Sequence, residues 1–449
     1  MVAAVAAKVL LAVQWGLLAD EAYYWVWSTR LAFGYFDHPP GIAWLVAATT
    51  ALGGGELAVR AGPILCGVVA WLALRGLTPR PALLAAVWAT PMLFGLTLFA
   101  TPDAPLLAAW AVALWGAARG GRGWLVAGAA AGVAMLCKLT GFLALPLLLL
   151  AAGRREMKTP WPWWGAGMAL AIALPNLAWN LEHGWVTWSW QLGHGLGAEV
   201  APGAAGAIRF LRDQSLVANP LLAVATLAWV VISARSVWFD WTHAGPMDLD
   251  EARVRRLAWF TVVGPLLVLG WAATRAPGEA NWAAPAWVGA SVGITLLPGR
   301  WPRVVWAGAA LGWITVALAA VHARSPLVSL ERDPAIRVAE GPALAAAVRA
   351  VLPEEDQRVR LEATRPLYTE RYQEAALIHF YARIPAHRHP RCGRPDQYDL
   401  WATPVAEAGW LLRPARSGPT LCGGAVEAAG APLPGMRGRW EIFPLGPTP

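Results

Sequence analysis

Asp20-Glu21-Ala22-Tyr23-Tyr24-Trp25-Val26-Trp27, continued by Tyr35-Phe36-Asp37-His38-Pro39-Pro40, follows the first apolar run of the chain directly. Carboxylates, a histidine and aromatic rings crowd together here, in a chain where only 14% of residues are charged. The 449 residues are 57% hydrophobic, with a mean hydropathy of +0.45. Soluble chains are nearer about 45–50% apolar, so the excess points to a membrane protein. Acids at the mouth of a first membrane helix are costly to hold there, and they point to chemistry or binding.

Outward from that stretch, apolar runs fall at about 2–18, 58–74, 81–99, 104–118, 123–137, 141–152, 163–179, 215–234, 257–273, 282–297 and 303–321. They read as about eleven transmembrane helices. The run 41–52 is shorter and reads as an interfacial or re-entrant helix. Met1 to Leu18 reads as an anchor helix, because no small-residue cleavage motif follows it. The 29 tryptophans suit membrane interfaces, where an amphipathic ring is favoured. Several stand at the ends of apolar runs, among them Trp71, Trp124, Trp163 and Trp271.

A net charge of +8 and a pI near 9.7 could suggest nucleic acid. The basic residues, however, sit in short loops between apolar runs, as at Arg119 and Arg122, Arg154 and Arg155, and Arg253 to Arg256. That is the positive-inside pattern, with the N-terminus cytoplasmic. It places the first polar loop, about 19–57, on the outer face. The same tally sends Asp103, Lys138, Asn180, His183, Arg275 and Asn281 to that face. Taken singly, Asp103 reads equally well as a cap of the helix after it, and Lys138 as a snorkelling side chain.

After Val321 the composition turns to Arg, Pro, Glu and Gly without a further span. The expected division is a membrane domain over 1–321 and a small outer α/β domain over 322–449. Within the latter, Glu370–Tyr381 reads as a helix, and Val359–Ala363, Tyr398–Trp401 and Trp440–Phe443 read as strands. Cys66 and Cys137 fall in spans and read as inert apolar residues. Cys392 and Cys422 lie in the outer domain, where a disulfide is expected.

The polar set implies interfacial transfer chemistry. A carboxylate can serve as general base toward a hydroxyl, and Lys or Arg can hold a phosphate as it gains charge. Tyr23, Tyr24, Trp25 and Trp185 offer aromatic faces to a sugar or a lipid chain. There is no Gly-rich phosphate loop, so an activated donor is expected to be lipid-borne rather than a nucleotide. The competing reading is a transporter or flippase, which would place its polar groups near the bilayer midplane.

Several segments, taken in order, resemble the bacterial branch of the GT-C glycosyltransferases, related to protein O-mannosyltransferases and the lipid A aminoarabinose transferase. They are Asp20–Trp25 with Asp37–Pro40, Thr101-Pro102-Asp103-Ala104-Pro105, and Cys137-Lys138-Leu139-Thr140-Gly141. Further segments are Pro175–Asn180 with His183-Gly184-Trp185, Asn281–Ala286, Arg371-Tyr372-Gln373 and Gln397–Trp401. The resemblance implies an α-helical polytopic transferase of the inner membrane with a periplasmic C-terminal domain. It would use a polyprenyl-phosphate sugar, with a lipid, glycan or protein as acceptor and no nucleic acid. It implies catalytic roles for Asp20, with Glu21 beside it, and for Asp103. It implies donor-phosphate or substrate contacts for Lys138, Tyr23, Tyr24, Asp37, His38, Asn180, His183, Arg275 and Asn281. No cofactor is expected. Asp20, Asp37, His38 and Asp103 are the residues that could compose a divalent-metal site, although their spacing fixes no geometry.

Overall fold

Runs of Ala, Leu and Trp, broken mainly by Pro and Gly, carry most of the chain into helix. The computed structural model describes residues 1–197, 203–242, 249–328, 333, 337–354, 366–401, 409–415, 431–436 and 440–445. In chain order the helices are α1 (Val2–Gln14), α2 (Ala19–Ser28), α3 (Gly41–Thr50), α4 (Gly55–Leu74), α5 (Pro81–Val87), α6 (Pro91–Leu96), α7 (Asp103–Arg119), α8 (Gly123–Cys137) and α9 (Ala144–Met157). They continue with α10 (Trp161–Glu182), α11 (Val186–Leu196), α12 (Gly203–Ala218), α13 (Pro220–Thr242), α14 (Leu249–Ala272), α15 (Ala284–Gly293) and α16 (Trp301–Arg324). Last come α17 (Arg337–Val351), α18 (Tyr372–Ala382) and α19 (Gln397–Leu400).

Each expected apolar run carries a helix, but many are broken or short. Among the described residues, four helices are long and apolar enough to cross a membrane, or five if α1 and α2 count as one broken span. The run 81–99 divides into α5 and α6 because Pro91, which has no N–H to donate, opens a new helix. The run 215–234 divides at Asn219, which takes φ 98°: α12 ends at Ala218 and α13 begins at Pro220. The segment 41–52 is a short apolar helix, α3, as expected.

By contacts the chain forms two units. The first comprises 1–10, 32–45 and 60–320, and the second 11–31, 46–59 and 321–449. The stretch Asp20–Trp27, read as loop, is helical instead and groups with the C-terminal segments. Its first turn carries Asp20 and Glu21, where carboxylates meet the positive end of the helix. Glu21 accepts from the Leu18 N–H at 2.9 Å, closing that end.

In the first unit, Trp88, Trp110, Trp124 and Trp229 are buried in one apolar core. α8 packs against α10 through small residues. A Cβ at Gly128 would stand 1.9 Å from the Gly165 carbonyl oxygen, and one at Gly132 would stand 2.8 Å from that of Ala169. Only glycine permits this backbone approach.

The second unit holds a sheet of order β2-β1-β3-β5-β4, with β1 (Leu367–Thr369), β2 (Ala386–Arg388), β3 (Gly409–Pro414), β4 (Ala431–Pro432) and β5 (Trp440–Leu445). β1 pairs parallel with β2 and β3, and α18 makes the crossover that the β1–β2 pairing requires. β5 runs antiparallel to β3 and β4. Tyr368, Cys392, Leu411 and Phe443 pack together in this unit. The strand expected at Tyr398–Trp401 is the short helix α19 instead. Asp396 caps it by accepting from the Tyr398 N–H, and Asp399 accepts in return from the Asp396 N–H. The expected helix and the strand at 440 are present, while Val359–Ala363 lies outside the described residues. Cys66 and Cys137 are buried free thiols. Cys392 is disulfide-bonded, and its expected partner Cys422 lies outside the described residues.

Candidate functional site

In the first unit the polar site is built around Asp103. The residue opens α7 but makes no capping bond to it. Its Oδ1 lies 2.8 Å from Lys138 Nζ, and its Oδ2 accepts from Asn281 Nδ2 at 3.2 Å. Both charged residues are almost fully buried, so Lys138 does not snorkel and Asp103 is not a solvated cap. A buried ion pair of this kind is held by its geometry, and removing one partner strands the other charge. Lys138 follows the last residue of α8 in extended backbone. The turn after it closes with the Gly141 N–H bonded to the Lys138 carbonyl at 2.8 Å. A Cβ at Gly141 would stand 2.0 Å from the Ala134 carbonyl oxygen, so glycine lets this turn fold back under α8. Thr101 and Thr140, each two residues from the pair, bury hydroxyls that have no hydrogen-bond partner among the described residues. Such groups are ready to meet a ligand or water.

The loop bearing Asp37 and His38 is clamped by α10 and α11. Asn176 Nδ2 donates to the Phe33 carbonyl at 2.7 Å, Thr187 Oγ1 to that of Tyr35 at 2.6 Å, and Gln191 Nε2 to that of Asp37 at 2.6 Å. Gln191 Nε2 also stands 3.4 Å from His38 Nδ1. Asn180 is buried and donates to the Asn176 carbonyl at 3.1 Å, while its Oδ1 has no partner among the described residues. His183 is exposed, stacks on Trp179 at 3.9 Å between ring centroids, and donates from Nδ1 to the Trp179 carbonyl. Arg275 lies over the Trp271 ring, 5.3 Å from its centroid.

α11 also faces Glu279. His194 Nε2 stands 3.6 Å from Glu279 Oε1. The His194 contact holds the Glu279 carboxyl below the usual carboxylate range against the pull of burial, with the charge of Lys138 and the Trp282 ring N–H adding to it. Thr187, Gln191 and His194 were missed as site residues in the sequence. The signal was present: Thr187, Gln191 and His194 recur at i, i+4 and i+7, one face of a helix.

In the second unit, Asp20 is exposed at the head of α2 and accepts from the Tyr372 hydroxyl at 3.3 Å. Tyr23 is buried; its ring lies 4.2 Å from that of Tyr372, and its oxygen accepts from the Gln397 N–H at 2.9 Å. Tyr24 is buried too, edge-on to Trp27 at 5.0 Å. These two rings, expected as open platforms, are packed instead, Tyr23 against Tyr372 and Tyr24 against Trp27. Glu21 is fully buried, as the bond to Leu18 requires. No group of three or more His, Cys, Asp or Glu among the described residues is arranged to hold a metal ion.

Residues 37–179 match the family described as dolichyl-phosphate-mannose-protein mannosyltransferase. That segment contains Asp37, His38, Asp103, Lys138 and Asn176. The fold matches ArnT from Cupriavidus metallidurans in the apo state. The match covers 100% of this chain and 98% of that one, with a TM-score of 0.62 at 16% sequence identity. These similarities relate the chain to the GT-C glycosyltransferases. The likeness to ArnT is one of fold, and the likeness to the protein mannosyltransferases lies in residues 37–179. The lipid A galacturonosyltransferase RgtD of Rhizobium johnstonii is 30% identical over 307 residues, or 63% of this chain. The match spans 61% of that relative's length. Asp20 precedes the segment matched by the family, whereas the Asp103–Lys138 pair lies inside it.

Proposed function

We propose that the chain is an inverting glycosyltransferase. It moves a sugar from a polyprenyl-phosphate donor to a lipid, polysaccharide or protein acceptor at the outer face of the cytoplasmic membrane. The likeness to RgtD, a lipid A galacturonosyltransferase, supports a glycolipid among these acceptors. One observation carries the assignment of the base. Of the three candidate acids, Asp20 alone is exposed, whereas Glu21 closes a helix end and Asp103 is buried against Lys138.

A hydroxyl is a poor nucleophile at neutral pH. In the proposed step, Asp20 takes its proton as the oxygen bonds to the sugar C1, and the C1–O bond to phosphate breaks with inversion. The departing polyprenyl phosphate gains a negative charge, and Lys138 neutralises it. An ammonium has three donors, and Asp103 occupies one of them, so Lys138 is oriented yet still able to bind phosphate. Should the acceptor be a phosphate, already ionised, Asp20 would orient it rather than deprotonate it.

Asp20→Asn is the direct test, in proteoliposomes with a defined polyprenyl-phosphate sugar and a hydroxyl acceptor. The expected result is a fall in turnover of about 100-fold or more with normal folding. Near-normal turnover would remove Asp20 from the base role. Movement of the lipid-linked sugar across vesicles without any bond change would replace the transferase reading by the transporter.

A further inference from the structure

A cavity of about 310 Å³ opens in the second unit between the segment 370–373, at the head of α18, and the turn 393–396. Its volume is within the range of small-molecule sites, roughly 300–1,000 Å³. Arg388 lines it but is committed elsewhere. Its guanidinium pairs with Asp396 at 2.7 Å and with Asp399, and it donates to the carbonyls of His389 and Cys392. That buried network makes one wall rigid. Gly393 sets the spacing: it has φ +65°, and a Cβ there would stand 2.9 Å from the Glu370 carbonyl oxygen.

Two further guanidiniums line the cavity from opposite segments. Arg371 is exposed; its carbonyl accepts from the Thr369 hydroxyl at 2.7 Å, while its guanidinium makes no hydrogen bond or ion pair among the described residues. Arg394 is half-buried, lies over the Tyr372 ring 4.9 Å from its centroid, and donates to the Pro395 carbonyl at 2.9 Å. Tyr372 is itself a lining residue, and its hydroxyl bonds Asp20. The cavity therefore shares a wall with the proposed base.

We propose that this cavity is a headgroup subsite for the acceptor and that it takes a sugar bearing a phosphate monoester, held by Arg371 and Arg394. The inference rests on the reading of Asp20 as base, because the molecule beside the base is the one whose hydroxyl it deprotonates. A carboxylate is satisfied by one guanidinium fork, whereas a phosphate dianion has oxygens for two. Two arginines from separate chain segments match the phosphate. Glu370 and Gln373 also line the cavity and offer acceptors and donors for sugar hydroxyls. The phosphate serves as a handle here, and the hydroxyl presented to Asp20 remains the nucleophile.

Binding to the purified full-length protein, measured by calorimetry without any donor, tests this independently of transfer. Glucose 1-phosphate is the probe, and glucose, inorganic phosphate and glucuronic acid are the comparators. The expected result is saturable binding of glucose 1-phosphate above all three, weakened about tenfold or more by Arg371→Gln and by Arg394→Gln. Arg371→Lys, which keeps the charge and loses the fork, should fall between. A phosphorylated glycolipid in nanodiscs should bind more tightly than the free sugar phosphate if the source is a membrane headgroup, and equally if it is a soluble one. The proposal is overturned by unchanged affinity in both glutamine variants, by no saturable binding, by inorganic phosphate binding as well as the sugar phosphate, or by equal binding of glucuronic acid. If binding behaves as expected and transfer is absent, the subsite stands and the transferase reading fails. If transfer is present and binding ignores the arginines, the reverse holds.

Discussion

Asp103 and Lys138, 2.8 Å apart and nearly without solvent, hold each other's charge in place. Alanine at either position should lower stability by about 3–5 kcal/mol, because the remaining charge stays buried and unpaired. The double variant should lose less than the sum. Thermal unfolding in detergent gives all three values, and strict additivity would show that the pair is uncoupled. Glu374 makes a second residue-scale case, in the second unit. Burial pushes its carboxyl up to about 7, with Glu340 and Glu370 adding and Arg371 opposing. The folded protein therefore keeps a proton that the unfolded chain releases near pH 4.5. Its contribution is fully present below that pH and is lost as pH rises through about 7. Glu374→Gln, which cannot ionise, should raise the unfolding temperature at pH 8 and leave it unchanged at pH 4. An equal shift at both pH values would contradict burial of the charge as the cause. Asp103, Lys138 and Asn281 were legible in the sequence because polar groups stand out in an apolar chain. Their mutual bonds were not legible, since 178 residues separate Asn281 from Asp103.

At the scale of elements, the close pairs are made by absent side chains. Gly128 on α8 faces Gly165 on α10 at a distance that no Cβ tolerates. Gly128→Leu should force the helices apart, at a cost of at least about 1–3 kcal/mol. Gly167→Ala, where a Cβ meets nothing within 4 Å, is the matched control. Comparison of the two unfolding temperatures checks this, and equal values would refute the close-packing account. α10 ends three residues before Trp185, which takes φ 58°, and α11 starts one residue after it. α11 then presents Thr187 and Gln191 to the loop with Asp37, and His194 to Glu279. Its periodicity was readable from composition alone. Its partners are loop carbonyls, which carry no sequence signature. The opening stretch was misread as loop for a related reason: its carboxylates look solvated, while one of them, Glu21, is buried closing a helix.

At the scale of the whole molecule, the arginine-bearing loops imply a cytoplasmic N-terminus. An impermeant maleimide added to intact spheroplasts should label Glu182→Cys and reach Arg122→Cys only after permeabilisation, both native positions being exposed. The reverse pattern would invert the orientation. Membrane character, the helical class and the GT-C relation were determined by the sequence itself, because burial in lipid demands long apolar runs and the motifs keep their order along the chain. A change of character near Val321 was equally plain. Only the tertiary structure decided that residues 11–31 belong with the C-terminal unit. Tyr23 packs against Tyr372 and Tyr398, and Trp25 against His379, Phe380 and Arg383. Ring packing of this kind depends on shape and proximity in space. Neither leaves a period or a spacing along the chain, so the surroundings of Asp20 were fixed only by folding.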